Sequence, residues 1–225
     1  MKRAFILLLC LLCAGIGHAA SKAAQPQVEV LSTAPRIVIY RNFLSNEECE
    51  HMIQAARPHL KRSTVIDNQS SGADVDPRRT SYGMFFPYRV KDAIINSVEE
   101  RIASLTAIPK ENGENIQVLQ YAVGGEYKPH FDYFDPNTSG GKFHLLRGGQ
   151  RVASFLMYLN TPEAGGETIF PSLNIKVVPR KGDALLFYNC GPEGNVDPRT
   201  LHGGAPVVQG EKWLATKWLR MSRFE

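Results

Sequence analysis

A chain of 225 residues with 43% hydrophobic and 21% charged side chains is neither disordered nor fibrous in composition, and one compact domain is expected. Its 26 basic and 22 acidic residues are too evenly balanced to point to nucleic acid as a partner.

At the N-terminus, Lys2 and Arg3 precede an apolar run over residues 4–16, which gives way to the small residues Gly17, Ala19 and Ala20. This pattern predicts an export signal over residues 1–20, directing the chain to a periplasm, an ER lumen or the medium. The run is about thirteen residues long, shorter than the ~20 of a spanning helix, so no stable membrane insertion is expected after cleavage. Cleavage leaves 24 basic against 22 acidic residues and two cysteines, Cys49 and Cys190. An exported compartment permits a disulfide between them, with two buried free thiols as the alternative.

Residues 21–35 are small, polar and punctuated by proline, and read as an N-terminal arm leading into a strand over residues 36–40. Ser45 with Glu48 three positions later is a capping-box signal. Cys49, Ile53, Ala56 and Leu60 then follow at helical spacing, with Pro58 ending or bending the helix. A second helix is predicted over residues 89–105, its apolar face formed by Val90, Ile94, Val98, Ile102 and Leu105. The polar stretch 66–79 between the two lacks periodicity and reads as a mobile surface loop. From Ile116 onward the pattern changes to eight short β segments separated by turns. The predicted fold is α+β, mainly β: a double-sheet jelly roll over residues 111–225, with helical support from residues 36–110 packed on one sheet.

Within the β region, His130 and Asp132 stand two residues apart on a predicted strand, so period-two alternation puts both on one face. Two histidines and one carboxylate on one side of an iron ion leave the positions that a chelating co-substrate and dioxygen require. The third ligand must then be another histidine. His51 and His59 fall on a predicted surface helix and His144 in a glycine-rich loop, whereas His202 lies near the far end of the β region before a strand containing Lys212. Alone, an H-x-D pair is a weak signal, more often an ordinary satisfied polar pair on a strand than a metal site.

Longer segments strengthen it. VLQYAVGGEYKPHFDYF (118–134), RVASFLMYLNTPEAGGETIFP (151–171), VPRKGDALLFYN (178–189) and LHGGAPVVQGEKWLATKWLR (201–220), with RRTSYGMFF (78–86) upstream, resemble the prolyl 4-hydroxylase branch of the Fe(II)/2-oxoglutarate dioxygenases in order and spacing. The resemblance implies one dioxygenase domain over residues 36–225. It makes His130, Asp132 and His202 the iron ligands and Lys212 the partner of the distal carboxylate of 2-oxoglutarate. It adds Tyr121, Thr168 and Trp218 to the co-substrate pocket, and places Tyr127 and Arg151 against the peptide. The implied reaction is hydroxylation of a peptidyl proline coupled to oxidative decarboxylation of 2-oxoglutarate to succinate and CO2. It uses Fe(II), 2-oxoglutarate and O2, with L-ascorbate as the rescue reductant. Retention of the Asp132 carboxylate favours hydroxylation over halogenation. Two other readings are an oxygenase acting on another side chain or a free amino acid, and a non-catalytic jelly-roll module binding metal or carbohydrate; the latter has no need of Lys212.

Overall fold

The longest strand of the protein, Lys212–Arg220, is buried at all nine positions. The computed structural model describes residues 27–66, 72–87, 90–191 and 193–224; the predicted export signal lies outside them. A strand buried throughout must be covered on both faces, and its alternation divides its side chains between them. Trp213, Ala215 and Leu219 enter a core shared with Met52, Ile95, Val98 and Ile102. Leu214 enters a second core with Tyr121, Tyr158, Phe170 and Phe187. Trp213 alone, 1% exposed, withdraws roughly 150–250 Å² from water, a gross burial of about 4–6 kcal/mol.

That strand lies inside an antiparallel eight-stranded sheet. Its order is Gln27–Thr33, Arg36–Arg41, Ala184–Tyr188, Arg151–Tyr158, Lys212–Arg220, Gln117–Tyr121, Tyr82–Phe85 and Lys61–Arg62. A four-stranded sheet (Ile175–Val177, Thr168–Phe170, His202–Gly204, Tyr127–His130) supplies the other wall of the inner core. This is the predicted jelly roll, with two helices, α1 (Asn46–Ala56) and α2 (Ala93–Thr106), packed on the opposite face of the large sheet.

The Ser45 capping box is formed in full: Glu48 N donates to Ser45 Oγ at 3.1 Å, and Ser45 N donates to Glu48 Oε2 at 2.8 Å. Ser45→Ala should cost about 1 kcal/mol, a fall in Tm of roughly 2–4 °C by thermal denaturation with turnover unchanged. Helix α2 starts four residues after the predicted 89, at Ala93. The reason is Asp92, whose Oδ1 accepts from Ile94 N and Ile95 N at 3.0 Å each and so caps the helix there. Arg89 falls outside the described residues.

Three expectations are corrected. From Gln27 on, the supposed N-terminal arm is an edge strand: Val28 and Val30 alternate with polar neighbours, and Glu29 pairs with Arg41 across the hairpin at 2.6 Å. The supposed loop 66–79 contains half of a two-stranded ribbon, Thr64–Ile66 against Ala73–Val75, with residues 67–71 outside the described set. His144 lies on a short helix, α3 (Ser139–Leu145), whose start is capped by Thr138 Oγ1 accepting from Gly141 N at 3.0 Å. Cys49 and Cys190 are free thiols. Burial pushes each up to about 11, which leaves both unreactive at neutral pH.

Candidate active site

Adjacent antiparallel strands carry His130 and His202 in direct cross-strand register. Such opposed residues share a face, and the imidazole centroids stand 4.4 Å apart. Each ring is oriented by its own backbone: His130 Nδ1 lies 2.9 Å from Lys128 O, and His202 Nδ1 2.9 Å from Thr200 O. A carbonyl oxygen only accepts, so each Nδ1 carries the proton and each Nε2 turns a lone pair toward the space between the strands.

Asp132 completes the set by a route different from the one expected. The strand ends at His130, and Asp132 sits in the bend that follows. Gln150 holds this bend, accepting from Phe134 N and donating to Phe134 O, both at 2.8 Å. The Asp132 oxygens come within 3.6 Å of His130 Nε2 and of His202 Nε2. One ligand atom from each of the three residues lies within 4.8 Å of the others, so the three can hold one metal ion.

The charge states fit that use. Burial by itself would raise the Asp132 carboxyl, but His202, His130 and Arg151 outweigh it and hold the group well below the usual carboxylate range. Burial pushes His202 down to about 4, so at neutral pH it is an uncharged ligand. An ionised carboxylate beside histidine nitrogens with free lone pairs is a donor set for a divalent first-row metal. Close packing of the two strands keeps the geometry tight. A Cβ on Gly203 would stand 2.8 Å from Tyr127 O and 3.1 Å from Pro129 N, both backbone atoms that cannot swing aside. Gly203→Ala should therefore part the strands at the histidine pair and weaken metal binding by about tenfold in an Fe(II) titration.

Beyond the metal centre lies a second polar group. Lys212 is 4% exposed on the inner face of its strand, directly opposite Tyr121. Its Nζ lies 5.6 Å from the Tyr121 ring and 5.9 Å from that of Tyr158. Thr168 stands beside this group, since its strand partner is Gly204, whose Cβ position is 3.8 Å from Lys212 Nζ. The Thr168 hydroxyl accepts from Tyr158 Oη at 2.8 Å. Among the described residues no carboxylate pairs with Lys212; Glu167, the nearest acid in effect, is itself paired with Lys176 at 2.9 Å. Burial pushes Lys212 down to about 8, with Glu167 opposing. A buried ammonium without a counter-ion is a site built for an anion brought by a ligand. The residues present thus fit Fe(II) and a co-substrate that chelates it at one end and bears a carboxylate at the other.

The remaining predicted residues are arranged around the candidate metal site. Trp218 lies on the same strand face as Lys212 but six positions along, opposite Ser154, the residue hydrogen-bonded to the Asp132 carboxylate. Tyr127 is half-buried and stacks on His130 with centroids 3.6 Å apart. Arg151, expected to face a peptide, is buried: its Nε and Nη2 donate to Glu114 at 2.6 and 2.8 Å, and its guanidinium lies 4.0 Å over the Trp218 ring. With its charge committed to Glu114, Arg151 positions Trp218 and the Asp132 bend. Sequence reasoning missed Tyr158, Ser154, Asn189 and Glu114. Period-two counting along residues 151–158 puts Ser154 and Tyr158 on one face, but the sequence alone does not reveal that this face is the cavity.

Comparison with known proteins agrees with this geometry. The profile of the 2OG-Fe(II) oxygenase superfamily matches residues 116–220, which contain all three candidate ligands and Lys212. Prolyl 4-hydroxylase 5 of Arabidopsis thaliana is 44% identical over 217 residues, covering 88% of this chain and 72% of the relative. Probable prolyl 4-hydroxylase 6 of the same plant is 41% identical, covering 98% of this chain and 81% of the relative. Among solved structures, a viral collagen prolyl hydroxylase from Paramecium Bursaria Chlorella virus-1 in complex with 2OG superposes with a TM-score of 0.65 at 30% identity, over 82% of this chain and 95% of that one. Sharing the fold and this level of identity with them, the chain belongs to the prolyl 4-hydroxylase family of 2OG-Fe(II) oxygenases.

Proposed function

We propose that this enzyme hydroxylates proline within a peptide or protein, coupled to decarboxylation of 2-oxoglutarate to succinate and CO2. The observation that carries the reading is a pair: a His130–Asp132–His202 set able to hold one metal, and a buried ammonium at Lys212 with no counter-ion among the described residues. His130, Asp132 and His202 would hold Fe(II), and Lys212 would take the distal carboxylate of 2-oxoglutarate. Bound iron supplies the activation of O2 that places one oxygen atom in the co-substrate's new carboxylate and the other in a substrate C–H bond.

The chain's own residues do the rest. Tyr121, Thr168 and Trp218 line the path between the metal and Lys212 and orient the co-substrate. Phe170 and Phe187, whose rings stand 5.7 and 4.5 Å from that of His202, exclude water from the inner side of the metal. Tyr127, stacked on His130, is the residue placed to meet a peptide at the outer side. Its hydroxyl, pushed up to about 12 by burial, stays protonated and able to donate to a peptide carbonyl. Ascorbate enters as the reductant that rescues iron oxidised in uncoupled cycles. Export is supported by the charged and apolar pattern of residues 1–20. Among the described residues no helix is long and apolar enough to cross a membrane.

The test is incubation of the purified enzyme with Fe(II), 2-oxoglutarate, ascorbate and a proline-rich peptide. Succinate is quantified and the peptide sequenced by mass spectrometry. The expected result is one oxygen atom gained on proline, stoichiometric with succinate. Succinate formation that no proline-containing peptide stimulates would sink the substrate assignment.

A further inference from the structure

Behind Asp132 Oδ2, the oxygen that stands 3.6 Å from His202 Nε2, is a chain of buried hydrogen bonds that metal binding as such does not require. Ser154 Oγ lies 2.6 Å from Asp132 Oδ2, and Asn189 Nδ2 lies 3.1 Å from Ser154 Oγ. Ser154 and Asn189 are both fully buried, in neighbouring central strands of the large sheet and just beyond them. The direction of each bond follows from chemistry. Ser154 Oγ donates to Asp132 Oδ2, so its single hydroxyl proton is spent there. Ser154 Oγ is then left as an acceptor, and Asn189 must present its NH2 rather than its carbonyl.

The fold accepts a penalty for that orientation. Asn189 Oδ1 is buried with no hydrogen-bond partner among the described residues. Turning the amide over would only exchange the orphaned atom and cost Ser154 its donor. The Asn189 backbone is pinned on both sides, its N–H donating to Val152 O and its carbonyl accepting from Asp197 N, each at 2.8 Å. The relay is therefore anchored to the sheet rather than to the site it serves. Both carboxylate oxygens stand 3.6 Å from a histidine Nε2, Oδ1 from His130 and Oδ2 from His202, and the Ser154 proton on Oδ2 is what tells them apart.

A carboxylate binds a metal through one oxygen or through both. With two histidines and a one-oxygen carboxylate, an octahedral ion keeps about three open positions, two for a chelating co-substrate and one for O2. A two-oxygen carboxylate would remove one of them. We infer that Ser154 and Asn189 are positioning residues that hold Asp132 to single-oxygen coordination by occupying Oδ2, and so preserve the third open position. The inference rests on the metal assignment above.

The experiment counts metal-bound waters instead of turnover. Apoprotein is loaded with Mn(II), and the number of exchanging inner-sphere waters is read from water-proton relaxation, with 2-oxoglutarate affinity measured by titration. Wild type is expected to show about three waters. Ser154→Ala is expected to show about two and to bind 2-oxoglutarate about tenfold more weakly. Asn189→Ala should move both readings the same way by a smaller amount, and the double variant should be no worse than Ser154→Ala alone. Ser154→Thr, which keeps the hydroxyl, should restore the wild-type count; thermal unfolding of each apoprotein verifies that it is folded. Failure of the wild type to bind Mn(II) would overturn the metal assignment itself. Normal wild-type binding with an unchanged water count and co-substrate affinity in folded Ser154→Ala, or in folded Asn189→Ala, would overturn the relay alone.

Discussion

Asp132→Ala is expected to weaken Fe(II) binding by roughly 10²–10³-fold and to abolish succinate production at ordinary iron concentrations. Removing one charged partner from a buried set costs about 3–5 kcal/mol, and each 1.4 kcal/mol is about tenfold in affinity. The loss is specific because Asp132 supplies the only anionic oxygen in the cluster, between two histidine nitrogens at 3.6 Å. His202→Ala should behave alike. His59→Ala, at an exposed turn after α1, is the control and should leave both metal binding and turnover at wild-type values. Metal titration of the apoproteins, paired with succinate assays, makes the comparison. Wild-type metal affinity in Asp132→Ala would remove the basis for this site.

The second large effect is on co-substrate affinity. Lys212→Ala should raise the 2-oxoglutarate KM by roughly 10²–10³-fold, because the distal carboxylate would be buried opposite no charge. Fe(II) affinity should change little, which separates this variant from the ligand substitutions. The lysine also carries a pH signature. Burial pushes Lys212 down to about 8, and the cationic form is the one that holds a carboxylate. Below that pH the site is charged and affinity is flat. Above it, each unit of pH removes about nine-tenths of the remaining ammonium, so the 2-oxoglutarate KM of wild type should climb about tenfold per unit. Lys212→Ala should lose this rise entirely while keeping its high KM. A wild-type KM that stays level from pH 7 to pH 10 would contradict the role given to Lys212.

Much of the architecture is legible in local pattern. The capping box at Ser45, the face of the first helix and the succession of short strands from Ile116 depend on interactions within a few residues and survive in the fold almost as read, whereas on the second helix Val90 precedes the first turn and Ile95 takes the core place expected of Ile94. Errors occur where a local signal competes with a distant one. Residues 27–33 look like a tail until a partner strand at residues 36–41 makes use of their alternation. The ribbon flanking residues 67–71 pairs residues whose composition is that of a loop. Asp132 was expected on the strand of His130. It reaches the metal through a bend held by Gln150, a contact across 16 residues with no sequence signature. Arg151 illustrates the opposite limit: its position in the segment was readable, but a buried bidentate pairing with Glu114, 37 residues away, decides what its charge does.

The jelly roll was readable from the succession of strands, and the family resemblance singled out His130, Asp132, His202 and Lys212 as the side chains proposed for the chemistry. Only the tertiary structure decided their electrostatic condition. It left Lys212 buried without a counter-ion among the described residues, made His202 neutral by burial, and tied one oxygen of Asp132 to Ser154 and Asn189. Burial and partnership depend on which surfaces the sheets close against each other. That closure joins residues more than a hundred positions apart along the chain only through hydrophobic packing, whose preference is for area and carries no mark at any single residue.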